Sequence, residues 1–338
     1  MKAIKFFAIS AMAAAMITSC STDDELSQSN YPSDNIIRVT AGVNNAKTRA
    51  DGQGVSAMDK DFSLTVVNKN TESTLPSKYT YIDKVFSKKS GDWACSETLL
   101  WQNSTTPVDI VAFAPAQENK FSGVCDNDRN IKPITYSVAG DQSTWSDNND
   151  LLYYYAKDFK PGEGLKDKKL SIQFNHAFCM IDINVTLGTE FNKPNVLDDS
   201  PIVKVTLGGT KIEANVNVTN AASVVTASGE AADITTTKGS FTPAENADKK
   251  ADPEANAKSY FSCIAIPQTV AANTFKVSLM TAGKRYEWTS AEPVELKSGY
   301  RYTLELSMGN DVVLLKGGSI SASPWTEGDT GDKPLETD

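Results

Sequence analysis

Apolar side chains along most of this chain recur at every second position, in short runs broken by Gly, Asn, Asp, Ser and Pro. That period puts alternate residues on opposite faces of an extended strand. No segment keeps an amphipathic helical period through three turns. In the first half the runs DFSLTVV (61–67), YTYIDKVF (79–86), ETLLWQ (97–102), VDIVAFAP (108–115), ITYSVA (134–139) and DLLYYYA (150–156) read as strands. Further on, KLSIQFNHAFCMIDINVTL (169–187), IVKVTLGG (202–209), IEANVNVT (212–219), YFSCIAIPQ (260–268) and GYRYTLELSM (299–308) do the same. TFKVSLM (274–280) and KRYEWTS (284–290) form a predicted hairpin around Ala282-Gly283. In 299–308, Tyr300, Tyr302, Leu304 and Leu306 share one face, opposite Arg301, Thr303 and Glu305. So many short strands with turns between them predict an all-β sandwich architecture.

Two places depart from simple alternation. Leu170, Ile172, Phe174, His176, Phe178 and Met180 hold even positions, whereas Ile181, Ile183, Val185 and Leu187 are odd. A one-residue slip turns every side chain over, so a bulge or change of face is expected near Cys179–Ile181. It suggests one sandwich ending and a second beginning, with the boundary near Gly188 and domains at 50–188 and 189–338. Residues 220–258 carry few large apolar side chains and read as an exposed excursion, and the tail GDTGDKPLETD reads as disordered. Nearer the start, IIRVTAGV (36–43) puts Ile37, Val39, Ala41 and Val43 on one face. NNAKTRADGQG (44–54) follows at once, with no apolar anchor and with Arg49-Ala50 inside it, an open site for a trypsin-like protease.

Composition narrows the classes. The 338 residues are 40% hydrophobic and 22% charged, with a formal net charge of −9, which disfavours nucleic acid as a partner. One histidine leaves little room for histidine-based metal or paired-histidine chemistry. At the N-terminus, Lys2 and Lys5 precede the apolar run FFAISAMAAAMI (6–17), too short to span a bilayer. The run ends at Ile17-Thr-Ser-Cys20, which resembles a bacterial lipobox, with residues 1–19 as signal peptide and Cys20 as the acylated first mature residue. An ordinary secretory signal with an incidental cysteine is the other reading. Cys95, Cys125, Cys179 and Cys263 allow disulfides in an exported chain, or buried free thiols. They show no CxxC spacing that would suggest zinc.

Candidate chemistry is sparse. His176 lies in the apolar register and reads as a core histidine bonded to a backbone carbonyl rather than a catalytic group. No GxSxG, HExxH, P-loop or dinucleotide fingerprint occurs, and no two carboxylates stand out as a glycosidase pair. DNDRN (126–130) has the oxygen-rich look of a calcium loop but lacks the EF-hand spacing, so a solvated turn is the plainer reading. Tyr153, Tyr154 and Tyr155, with Trp93, Trp101 and Trp145 at loops, offer a sugar-stacking alternative: a monomeric outer-surface glycan-binding lipoprotein.

Cys20, TRA (48–50), VDIVAFAP, NDLLYYYA (149–156), KLSIQFNHAF (169–178), SGYRYTLEL (298–306) and GGSISASPW (317–325) together resemble the fimbrillin-like (Mfa-like) subunits of Bacteroidetes type V pili. The acidic STDDE after Cys20 resembles the surface-export signal of lipoproteins from the same bacteria. The resemblance implies two tandem transthyretin-like β-sandwich domains, no enzymatic activity and no cofactor. It implies an outer-membrane lipoprotein precursor, with residues 20–49 as a lipidated propeptide, that ends in a cell-surface fimbrium. An Arg-specific protease would cut between Arg49 and Ala50 and release the strand holding Ile37, Val39, Ala41 and Val43. The C-terminal segment, with Val312, Val313, Leu314 and Leu315, would be the donor strand filling a neighbour's groove. Partners on this reading are other fimbrial subunits, the outer membrane through the lipid anchor, the protease, and a host or bacterial surface receptor.

Overall fold

The computed structural model describes residues 30–44, 55–72, 74–191, 199–244, 255–310, 312–315 and 320–325. Its strands in the first half are β1 (Val39–Asn44), β2 (Val55–Ala57), β3 (Phe62–Asn68), β4 (Tyr81–Lys89), β5 (Asp92–Cys95), β6 (Val108–Ala114), β7 (Ile134–Ser137), β8 (Leu152–Phe159) and β9 (Leu170–His176). All but β7 join one sheet in the order β2-β1-β9-β8-β6-β3-β4-β5. The sheet rolls over until β1 packs against β5. It encloses a first core that includes Ile37, Val39, Phe62, Leu64, Phe86, Trp101, Ile110, Leu152, Ile172 and Phe174.

The second half contributes β10 (Cys179–Leu187), β11 (Ile202–Val216), β12 (Val225–Thr235), β13 (Thr237–Thr242), β14 (Lys258–Ala265) and β15 (Gln268–Val270). After them come β16 (Lys276–Thr281), β17 (Arg285–Thr289), β18 (Val294–Leu296), β19 (Tyr300–Met308), β20 (Val313–Leu315) and β21 (Ser321–Pro324). One sheet runs β13-β14-β10-β19-β20, with β21 also on β19; the other runs β12-β11-β16-β17, with β7 also on β11. Between them lies a second core containing Ile181, Ile183, Val205, Leu207, Cys263, Val277, Leu279, Leu304 and Leu306. The all-β sandwich architecture is as the alternation implies.

Several details differ from the sequence reading. The chain leaves the first sheet after His176 and enters the second at Cys179, ahead of the Gly188 boundary, because the change of face is itself the crossing. The stretch 220–258 is not all excursion: β12 and β13 lie within it, pairing with β11 and β14. IVKVTLGG and IEANVNVT are one long strand, β11, with irregular register at Leu207/Thr210 and Lys211/Glu213. Gly209 sits there at φ +86°, and a Cβ would meet the Thr274 carbonyl at 2.0 Å, so only glycine fits. ETLLWQ is not a regular strand; it bridges Ile36 through Leu100. Arg301, on the face of β19 opposite Tyr302, Leu304 and Leu306, is buried and paired with Asp182.

The halves are interlocked. Between β6 and β8 the chain crosses to the second sandwich, where β7 pairs with β11 from Ile134 to Ser137. Gln142 then accepts from the Ile264 N–H at 2.8 Å and donates to its carbonyl at 2.9 Å.

Candidate assembly site

β1 is built as a core strand. It runs parallel to β9, Val39 through Val43 against Leu170 through Phe174, and antiparallel to β2 on its other side. Just upstream, the Ile37 N–H donates to Leu99 and the Trp101 N–H to Asn35, at 2.9 and 2.8 Å. Ile37, Val39 and Val43 are buried in the first core and Ala41 is half-buried against it. Full burial of three such side chains stabilises the fold by about 5–9 kcal/mol as an upper figure. At its entry Asp34 receives two bonds from Arg38, at 2.6 and 2.9 Å. These bonds hold the Asp34 carboxyl well below the usual carboxylate range, although an exposed pair contributes little to stability. At its exit the Asn44 amide donates to Asn175 at 3.0 Å.

The C-terminal segment lies along β19 of its own chain. Val313, Leu314 and Leu315 pair with Met308, Ser307 and Leu306, and β21 pairs with Tyr300 through Thr303. Val313 is buried and Leu315 half-buried, but Val312 and Leu314 are 48% and 58% exposed. The segment is therefore apolar on both faces although one face meets water. Next to β21, burial pushes the Tyr302 phenol up to about 12, and its oxygen accepts from the Lys297 N–H at 2.8 Å. Cys20, Arg49 and Ala50 lie outside the described residues.

His176 is buried as expected, but its Nδ1 meets the Asp150 carboxylate at 2.9 Å rather than a backbone carbonyl. Its ring stacks on Trp325, centroids 3.8 Å apart and planes within 15°. NDLL, FNHAF and SPW lie far apart in sequence, and the local sign of their meeting is a histidine in an apolar register, which needs a polar neighbour. DNDRN is a self-satisfied turn: Asp126 accepts from the Asn130 N–H and pairs with Lys132, both at 2.8 Å. Arg129 donates to the carbonyls of Asn68 and Asn70. Among the described residues, no three His, Cys, Asp or Glu side chains stand together as metal ligands, and the four described cysteines are free thiols.

The sugar-stacking aromatics do not converge. Trp101 is buried, Trp93 packs edge-on to Phe62 at 4.9 Å, and Trp145 is 41% exposed. Tyr153 and Tyr155 pack toward the second core and Tyr154 toward the first. Both faces of β8 are therefore used in packing.

A fimbrillin-like family model matches residues 48–325. The chain belongs to the fimbrillin-like family. Membership makes it a non-enzymatic fimbrial subunit of the cell-surface fimbrium, with other fimbrial subunits as partners. The fimbrillin-like chain is similar in fold to a candidate cell adhesion protein of Bacteroides ovatus, with 16% identity and a TM-score of 0.56 over 86% of this chain and 97% of that one. A second candidate cell adhesion protein, from Bacteroides uniformis, gives 13% identity and 0.54 over 87% and 100%. A fimbrial protein of Bacteroides vulgatus gives 14% identity and 0.51 over 86% and 99%. No curated protein matches the fimbrillin-like chain.

Proposed function

We propose that this fimbrillin-like subunit is exported as a lipoprotein acylated at Cys20, cut between Arg49 and Ala50 by an Arg-specific protease, and polymerised by donor-strand exchange. The observation that carries the reading is β1. With Ile37 just ahead of it, it fills the first core through Val39 and Val43, yet it lies wholly upstream of the TRA sequence at 48–50. Cleavage there severs its covalent tie to the rest of the sandwich. Its departure leaves an apolar slot bordered by unpaired backbone groups of β9 and of Leu99–Trp101, which is costly in water. An extended strand from another subunit relieves both costs. The C-terminal segment around Val312–Leu315 suits that role because it carries apolar side chains on both faces.

On this reading the precursor is held at the outer membrane by its lipid, and the assembled subunit stands in the fimbrium. N-terminal sequencing of assembled fibres should begin at Ala50, and Arg49→Ala should arrest assembly while the subunit still folds. Fibres that begin upstream of Ala50, or normal assembly of Arg49→Ala, would overturn the mechanism.

A further inference from the structure

FNHAF and SISASPW are separated by some 140 residues in sequence but meet in one contact. A line of backbone bonds joins them: Ala177 N–H to Leu151, Gly299 N–H to Phe178, and Trp325 N–H to Gly299, at 2.8, 2.9 and 2.8 Å. Gly299 takes φ +71° at the centre of this line. On it stands the stack of Trp325 over His176, with Asp150 behind the ring. Lys60 closes the far side, 3.4 Å from Asp147 and 3.8 Å from Asp150.

The geometry points to Asp150, His176 and Trp325 as a latch that positions a C-terminal arm, formed of β20, β21 and Trp325, on its own β19 until another subunit takes it up. This rests on the donor role proposed above for the arm. The root of the arm is fixed independently of the latch. The Asn310 carbonyl accepts from Lys284 and Tyr286, and its N–H donates to Glu190, at 2.6, 3.0 and 2.7 Å. The tip is different. Ser321, Ala322 and Ser323 are exposed and Pro324 only half-buried, so β21 removes little apolar surface from water. Beyond backbone pairing at a sheet edge, the tip is held by Ile320, half-buried against the second core, by a long bond from the Ser321 hydroxyl to the Thr303 carbonyl at 3.4 Å, and above all by Trp325, its one fully buried large side chain.

Position adds a second consequence. His176 ends β9, the strand that β1 pairs with, and its neighbour Asn175 holds Asn44 at the end of β1. Departure of β1 therefore unpairs β9 as far as Phe174, two residues before the histidine on which Trp325 rests. Asp150 and His176 act on strand transfer through Trp325 and are positioning residues.

The test is amide exchange on the full chain, read at β21 and at Tyr300–Thr303. Trp325→Ala should speed exchange there about tenfold or more, with both cores exchanging as before. Trp325→Phe, which keeps a stackable ring, should restore most of the protection. His176→Gln, which keeps a hydrogen-bonding partner for Asp150 but loses the plate, should behave like Trp325→Ala and serves in its place if that variant does not fold. Wild-type exchange at β21 in both ring-deleting variants would overturn the latch. Accelerated exchange with no gain in fibre growth, when Trp325→Ala subunits meet acceptors lacking β1, would leave the latch standing and overturn the donor role instead.

Discussion

Replacing Val39 by alanine tests whether β1 is structural or merely draped on the sheet. Val39 is 3% exposed and lies beside Leu170 across the parallel β1–β9 pair. The change removes two methyl groups. Transfer accounts for about 1.6 kcal/mol at about 0.8 per group. A residual cavity of about 40 Å³ adds about 1 kcal/mol at about 24 cal/mol per Å³. The expected loss is therefore about 2–3 kcal/mol. Thr40→Ala, on the exposed face of the same strand, should fall within about 0.5 kcal/mol of the parent. Urea unfolding reads both. With a slope of about 2 kcal/mol per molar, Val39→Ala should lower the midpoint by about 1 M without changing the slope. If the protein unfolds in two steps, the shift belongs to the step that loses the first core, since Val39 touches only that one. Equal, small shifts for the two variants would show that β1 does not fill the core, and the argument that its departure opens an apolar slot would fail with it.

Burial pushes Cys179 and Cys263 well above the ordinary thiol range. A colourless thiol reagent under native conditions should modify only Cys95 and Cys125 among the four described cysteines, and all four after unfolding; removal of β1, which packs against β5, should speed labelling of Cys95. Burial also pushes Tyr136 up to about 12, with its hydroxyl taking a bond from Gln117 and giving one to the Asn148 carbonyl, both at 2.6 Å. A raised pKa favours the neutral phenol in the fold, so its contribution is complete below about pH 10 and is lost as pH rises toward 12. Tyr136→Phe should flatten stability over that window, and an unchanged pH profile would refute the assignment.

The alternation of apolar residues made most strands readable, because period two is imposed by burial on one side of a pleat. It worked for β9 and β19, whereas β3 and β6, buried at every position, read instead as nearly continuous apolar runs. It failed for β12 and β13, whose Ala, Ser, Thr and Gly residues pack little surface and are fixed by pairing with β11 and β14. Nothing local foretold that Arg301 would be buried, because its partner Asp182 is brought up by the parallel pairing of β10 with β19. At the candidate site, β1 was legible from Ile37, Val39 and Val43 alone. The Trp325–His176 stack was not, since it depends on where the chain crosses between sheets and on the path of a segment that starts far downstream.

A fimbria works under pull, and the passage of β7 into the second sandwich bears on how this subunit carries load. The chain crosses between the halves after β6, again before β8, and a third time between His176 and Cys179. Drawing the sandwiches apart would mean stripping β7 from β11 and Gln142 from Ile264 while also straining the last crossing. Tension applied along the subunit is thereby shared among parallel tethers rather than concentrated on one hinge. Separating the two sandwiches should therefore require breaking β7–β11 and the Gln142–Ile264 pair together.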